Sequence, residues 1–278
     1  MKKVILLLIF VLTINSCAFN LEKDNYSFNN FEETPLWELA QAVRADDVNE
    51  VKEILKNKKT KVDLKDPIYN QTLLALAIQN KKKNAFLELL KAGANPNLLV
   101  GEKDATPFIY GIQNVNNCNL FYVETMLKYG ANPNLEIKNP NPEHVFFNSF
   151  PLFVAMGNHT HYCLDLIKLL VDNGANINCC YKQSYSNYCE GVIGVSLTYN
   201  DMESLRYFVI EKKITIPDTV IIIGEMNKST QKAYGLKDVL NLKEYSYEDF
   251  KSDSKLVNRA KSRKARNEIL DYLDKNKK

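Results

Sequence analysis

Apolar residues in this chain recur at helical spacing in short paired segments. The clearest pair runs from Thr72 to Ile78 and from Asn84 to Leu90. Apolar positions three and four residues apart are typical of helices that bury one face. Similar pairs extend from Trp37 to about Pro217. The pattern therefore predicts an all-α array of helix pairs.

A pentapeptide follows the second segment of three of these pairs. It reads Gly-Ala-Asn-Pro-Asn at residues 93–97 and 130–134, and Gly-Ala-Asn-Ile-Asn at residues 174–178. Glycine directly after a helix takes the left-handed conformation without steric cost, and the flanking asparagines favour a turn. Spacings of 37 and 44 residues between the three glycines indicate an internal repeat.

Two helices followed by this turn resemble the ankyrin repeat, whose first helix begins Thr-Pro-Leu and whose turn reads Gly-Ala-Asp-Pro-Asn. Matching starts occur at Thr106-Pro107-Phe108 and Phe150-Pro151-Leu152. The resemblance implies an α-solenoid of about five repeats with N- and C-terminal capping helices. The repeats fall at about 34–65, 66–98, 99–135, 136–178 and 179–217, with a C-terminal helical cap at 218–278.

The turn glycines set the register of each repeat. Leu74 lies 19 residues before Gly93, the spacing of the family, whereas Phe108 and Leu152 lie 22 residues before Gly130 and Gly174. Repeats three and four therefore share a three-residue insertion between their helices, near 116–118 and 160–162.

The two terminal repeats depart from the pattern. Leu39 leads the first, which puts Thr34-Pro35-Leu36 out of register and makes it the start of a capping helix. Ile193 leads the fifth, where Lys212-Lys213 stands in place of the turn glycine. Such departures are expected at the ends of an array.

The N-terminus predicts export. Lys2 and Lys3 precede the apolar run Val4–Leu12, which is short for a membrane span and typical of a signal peptide. Ser16-Cys17 resembles the lipobox of bacterial lipoproteins, so residues 1–16 are expected to be removed and Cys17 to be lipidated. The alternative is an ordinary signal peptide with an incidental cysteine.

Residues 17–33 are polar and are interpreted as a tether. Ala18 is not the aspartate that retains lipoproteins in the inner membrane of enterobacteria. The expected location is therefore the periplasmic face of the bacterial outer membrane, with the lipid as the membrane contact.

Charge gives no reason to expect a nucleic-acid partner. The chain has 36 basic and 33 acidic residues, and removal of Lys2 and Lys3 leaves 34 basic residues. The basic stretch 261–266 is interpreted as the solvated face of a cap helix.

The six cysteines suggest disulfides outside the cytoplasm. With Cys17 assigned to lipid, we favour a bridge from Cys180 to Cys189. This bridge would close the base of residues 181–188, the long loop, or finger, that precedes the first helix of the fifth repeat. A second candidate pair is Cys118 and Cys163, in the two insertions. Stacked repeats lie about 10 Å apart, so this second bridge requires the insertions to lean together. Buried free thiols are the alternative.

The sequence contains no catalytic motif. His159, His161 and Cys163 form a short tract that invites a metal hypothesis, but no further ligand lies at zinc spacing. We therefore expect no enzyme, metal, cofactor or small-molecule substrate.

The resemblance implies a protein partner, bound by the finger tips and the exposed positions of the first helices. The helix positions are Arg44, Gln79, Asn80, Gln113, Asn114, Asn158, Thr198 and Tyr199, and the finger positions are Tyr69, Lys103, Phe146, Phe147 and Tyr188. The first hypothesis is an adaptor or scaffold in the cell envelope. The alternative is a periplasmic immunity or inhibitor protein that blocks a toxin or enzyme. A metal-dependent enzyme at the His159, His161 and Cys163 turn is the remote alternative.

Overall fold

A computed structural model shows a chain built from helix pairs. Its contacts form two compact units. The structure describes residues 27–101, 104–137, 150–157, 163–179, 181–182, 189–218, 220–223, 231–241 and 256–276.

The first unit comprises the described residues up to Asn114 together with Leu120–Asn132, and it holds three helix pairs. First helices pack against first helices, and the second helices of the first two pairs pack against each other, which is the stacking of an α-solenoid. The pairs are α1 (Trp37–Ala45) with α2 (Val48–Leu55), α3 (Leu73–Gln79) with α4 (Lys83–Lys91), and α5 (Pro107–Gln113) with α6 (Phe121–Lys128).

Folded structure begins earlier than the sequence indicates. A 3₁₀ turn at Phe28–Phe31 packs on α1 and buries both phenylalanines. Residues 27–33 of the predicted tether are therefore part of the first unit. Thr34-Pro35-Leu36 forms a turn rather than the start of a helix, and α1 follows with Leu39 buried in the leading position.

The second unit comprises Val115–Asn119 and the described residues from Pro133 onward. It contains two helix pairs, two short antiparallel hairpins and two C-terminal helices. The pairs are α7 (Pro151–Met156) with α8 (Leu164–Asp172), and α9 (Val192–Thr198) with α10 (Met202–Arg206). The hairpins are β1 (Tyr181–Lys182) with β2 (Cys189–Glu190), and β3 (Val220–Ile223) with β4 (Gln231–Tyr234). The last helices are α11 (Leu236–Leu240) and α12 (Leu256–Lys275).

The predicted all-α array of stacked helix pairs is confirmed within each unit. The hairpins are additions to it, and β3 and β4 lie in the segment that the sequence assigned to a helical cap. Val220–Ile223 consists of four consecutive β-branched residues, which restrict the side-chain torsion and favour a strand.

Helix α12 caps the second unit. Its buried residues Ala265, Ile269 and Leu273 join a core with Leu205 and Val239. Arg206 of α10 also forms an ion pair with Glu268 of α12. Ile269 and Leu273 lie on the buried face of this helix, which covers the last helix pair.

Threonine caps start two of the first helices. The Thr72 hydroxyl accepts a hydrogen bond from the Ala75 amide at 3.3 Å, and the Thr106 hydroxyl accepts one from the Ile109 amide at 3.1 Å. Pro107 follows Thr106 at the first helical position, where a missing amide hydrogen costs nothing.

Glycine in the left-handed region ends three of the second helices. Gly93, Gly130 and Gly174 have φ values of 92°, 87° and 88°. In each turn the amide of the next residue bonds to a carbonyl five residues back; after Gly130, Ala131 donates to Met126 at 2.9 Å. This is the Schellman motif, and it confirms the helix stop predicted from the pentapeptide.

The fifth repeat ends differently. A π-helical turn, Tyr207–Glu211, continues α10, and the Lys212 amide donates to the Tyr207 carbonyl at 2.9 Å. Lys213 takes the left-handed conformation, with φ of 51°. The wider turn thus ends the helix without a glycine.

The last asparagine of the pentapeptide connects consecutive turns. Asn97 donates from Nδ2 to the Gly130 carbonyl and accepts at Oδ1 from the Asn132 amide, both at 2.8 Å. In the second unit, Asn134 bonds in the same way to Gly174 and Asn176, at 2.8 and 2.7 Å. One side-chain amide therefore satisfies a carbonyl and an amide of the next repeat, and we call this pair of bonds an asparagine bridge.

We expect Gly130→Ala to lower the free energy of unfolding by about 1 kcal/mol because L-residues are disfavoured at positive φ. A Cβ at Gly130 would meet no atom within 4 Å, so the loss comes from the backbone alone. Urea unfolding measures this loss, and a Gly130→Ala variant as stable as wild type would contradict the assignment.

We expect Asn97→Ala to cost about 1–2 kcal/mol, since it removes both bonds of one asparagine bridge. Asn178 has the same place in its turn, but no described residue hydrogen-bonds to its side chain. Thermal melts of the two alanine variants compare them directly. A fall in melting temperature as large for Asn178→Ala as for Asn97→Ala would refute the role of the bridge.

Candidate functional site

Helices α3 and α5 of the first unit leave only their C-terminal ends accessible. Every residue of α3 from Leu73 to Ile78 and of α5 from Pro107 to Ile112 is buried. Gln79 is half-buried and Gln113 is exposed at the helix ends. Partner contacts on these helices are therefore confined to the last turn.

Side-chain amides of glutamine and asparagine lie next to one another at these helix ends. Asn114 Nδ2 donates to Gln79 Oε1 at 3.3 Å, which joins the candidate positions of two neighbouring repeats. Asn80 and Asn114 also donate to the Leu76 and Tyr110 carbonyls, each at 2.9 Å. Both asparagines thus cap their own helices, which leaves Gln79 and Gln113 as the better partner contacts.

Two other candidate positions also have contacts within the fold. Arg44 is exposed, and its Nη1 donates to Asn29 Oδ1 at 3.3 Å. Tyr199 is half-buried, and a Cβ at Gly157 would lie 3.5 Å from its ring. Tyr199 thus packs against the end of α7.

A rigid turn presents the most exposed large apolar side chain of the described residues. Asp66 is 1% exposed, and its carboxylate accepts from the amides of Ile68, Tyr69 and Gln71 at 3.0, 2.7 and 2.6 Å. Three bonds to one buried carboxylate fix the backbone of this finger. Ile68 at its tip is 60% exposed, whereas Tyr69 beside it is half-buried.

The sequence reasoning selected Tyr69 and missed Ile68. The signal was Asp66-Pro67, since an aspartate side chain that accepts from backbone amides fixes a turn and so directs the residues that follow. An apolar residue at an exposed position of a fixed turn is a binding candidate.

Hydrogen bonds join the base of this finger to the following finger and to helix α5. The Gly101 amide donates to the Asn70 carbonyl at 2.9 Å, and Gln71 Nε2 donates to Tyr110 Oη at 3.3 Å. A Cβ at Gly101 would lie 2.5 Å from Gln71 Nε2, so only glycine allows this approach. The finger is therefore preformed rather than shaped by a partner.

Several predicted positions lie outside the described residues. They are Cys17, Lys103, Phe146, Phe147, Asn158, Cys180 and Tyr188. Thr198 ends α9 and Cys189 begins β2, but their side chains are not among those described.

The two insertions meet at a disulfide. Residues 114–120 connect the two helices of the third pair, and residues 157–163 connect those of the fourth pair. The same connection in the second pair, residues 80–82, is shorter. Cys118 and Cys163 are bonded, with their Cα atoms 5.5 Å apart. The bridge that required the insertions to lean together is therefore present, within the second unit.

Cys179 is a free thiol. It is half-buried, and its Sγ donates to the Asn176 carbonyl at 2.7 Å. Burial raises the pKa of this thiol above its ordinary value. Cys179 therefore carries little thiolate near neutral pH.

The described residues contain no group of three or more histidine, cysteine, aspartate or glutamate side chains that could hold a metal ion. Cys163 is bonded to Cys118, so its sulfur is not a thiolate ligand. His159 and His161 lie outside the described residues. Across the described ranges, no helix has the length and apolar character needed to cross a membrane.

Comparisons with known proteins find structural likeness only. No protein-family model and no curated protein matches the chain. The chain is similar to the human ASB11 ankyrin repeat domain, with 19% identity, a TM-score of 0.45, and coverage of 63% of this chain and 69% of that one. It is also similar to EF0377, an ankyrin repeat protein, with 19% identity, a TM-score of 0.49, and coverage of 75% and 92%. Neither likeness assigns a role to a residue here.

Proposed function

We propose that this chain binds another protein, as an adaptor or scaffold, and that the finger carrying Ile68 is its main contact. The observation that supports this is the turn held by Asp66, which keeps a large apolar side chain in water at 60% exposure. Burial of an isoleucine side chain contributes about 1.5–3 kcal/mol. Because the backbone is already fixed, little ordering entropy is lost on binding.

The amide ends of the first helices supply a second contact to the same partner. Helices α3, α5, α7 and α9 contain no charged residue, whereas the second helices carry charges such as Lys83, Lys91 and Glu124. Gln79 and Gln113 offer neutral donors and acceptors. A partner surface with an apolar pocket and uncharged polar groups fits this arrangement.

The proposed place of action is the cell envelope. Cys17, the expected lipidation site, lies ten residues before Ser27, where the described fold begins. An extended chain spans at most about 3.6 Å per residue, so Ser27 would stay within about 36 Å of the lipidated residue. The partner would then lie in the outer membrane or in the adjacent periplasm.

Loss of the Ile68 side chain should weaken the complex. The purified protein captures its partner from envelope extract, and mass spectrometry identifies that partner. Calorimetry with the purified pair then measures the affinity. We expect Ile68→Ser to raise Kd about tenfold or more, which corresponds to about 1.4 kcal/mol. We also expect Asp66→Ala to weaken binding with Ile68 still present, since the finger loses its three hydrogen bonds.

Tyr129→Ser is the matched control for this experiment. Tyr129 is 40% exposed and follows the second helix α6, away from both proposed contacts in sequence. Its Kd should change less than about twofold. An unchanged Kd for Ile68→Ser would exclude the finger. A captured toxin whose activity is blocked would identify the inhibitor role instead.

Cys17→Ser should move the protein from the membrane to the soluble fraction, because each buried methylene of an acyl chain contributes about 0.8 kcal/mol to anchoring. Fractionation followed by immunoblotting measures this, with Cys179→Ser as a control that leaves the lipobox intact. Retention of the Cys17→Ser variant on membranes would disprove the anchor.

A further inference from the structure

The two cysteines of the Cys118–Cys163 disulfide differ in their exposure to solvent. Cys118 lies in an exposed loop, whereas Cys163 is only 7% exposed. Thiol exchange requires an incoming thiolate to reach one sulfur along the line of the S–S bond, so access decides which sulfur is attacked. An external thiol therefore meets Cys118 first.

The loop that holds Cys118 has an uncommon backbone. Asn117 and Cys118 are both in the left-handed region, with φ values of 50° and 53°. A residue other than glycine in this region costs about 1–2 kcal/mol of conformational free energy, and asparagine costs less. Relaxation of this loop favours the open form once the bridge breaks.

Cys163 is the N-cap residue of a helix, and the helix N-terminus favours a thiolate there against the opposing effect of burial. It directly precedes α8, a nine-residue helix. No side chain caps this helix N-terminus, and the helix dipole there stabilises negative charge. Asp165 in the same turn is exposed, so water screens its charge.

We propose that Cys118 is a thiol-exchange site that accepts a low-molecular-weight thiol. The incoming thiolate attacks Sγ of Cys118 and forms a mixed disulfide there. The Cys118–Cys163 bond breaks, and its electron pair stays on Cys163 as a thiolate. Cys118 is thereby S-thiolated, Cys163 is reduced, and no further oxidant or reductant is required.

The exchange would release the segment Val115–Asn119 from α8. The insertions at 114–120 and 157–163 are longer than the connection at 80–82, and both carry a cysteine of the bridge. Cys179 is a poor competitor, since it is half-buried and hydrogen-bonded to the Asn176 carbonyl. The modification is thus directed to one loop of the second unit.

The test treats the folded full-length chain with glutathione at pH 8 and stops the reaction in acid after graded times. Peptide mass spectrometry then measures the glutathione adduct at Cys118 and at Cys163. We expect the ratio of Cys118 adduct to Cys163 adduct to be about tenfold or more, because Cys118 is exposed and Cys163 is buried.

The same reaction in concentrated urea is the control. Unfolding exposes both sulfurs and removes the helix, so the ratio should fall to near one. A folded-state ratio no higher than the ratio in urea would overturn the proposal. So would the absence of adduct on folded Cys118 while the urea sample reacts.

Discussion

The stack depends on the side-chain amide of asparagine, which donates and accepts at once. At Asn97 and Asn134 this group meets a carbonyl and an amide of the next turn, a pairing that resembles one step of a β-ladder. The left-handed glycine makes the pairing possible, since the Schellman turn points the glycine carbonyl and the next asparagine amide toward the preceding repeat. The short helices around these turns are too few in residues to be stable alone and depend on stacking.

Asp63 shows why the side chain must be an amide. It accepts from the Asn95 amide at 2.9 Å, as Asn97 accepts from Asn132. A carboxylate has no hydrogen to donate, so the first repeat makes only half of an asparagine bridge. A second asparagine, Asn95, accepts from the Asn97 amide at 2.9 Å and holds the turn itself. The two asparagines of the pentapeptide therefore have different roles, one within a turn and one between turns.

Much of the fold could be predicted from local sequence chemistry. Features that depend on long-range geometry could not. The turn glycines determined the register, which placed the insertions near Cys118 and Cys163 and identified Leu39 and Ile193 as leading residues. The Cys118–Cys163 pairing depends on how two loops lean, which no spacing encodes. Asp66-Pro67 signals a fixed turn in the sequence, but the exposure of Ile68 rather than Tyr69 depends on which side of the folded turn faces water. Strand β3 was missed because a short apolar run fits a buried helix as well as a strand.

The repeats that end at Asn97 and Asn134 each carry their own connector to the next repeat. The connector binds main-chain atoms, which are the same whatever side chains the neighbour has. Duplication of such a repeat within a unit would therefore need no matching mutation at this connection. The length of the array could change in one genetic event, while the fingers diverge separately toward new partners.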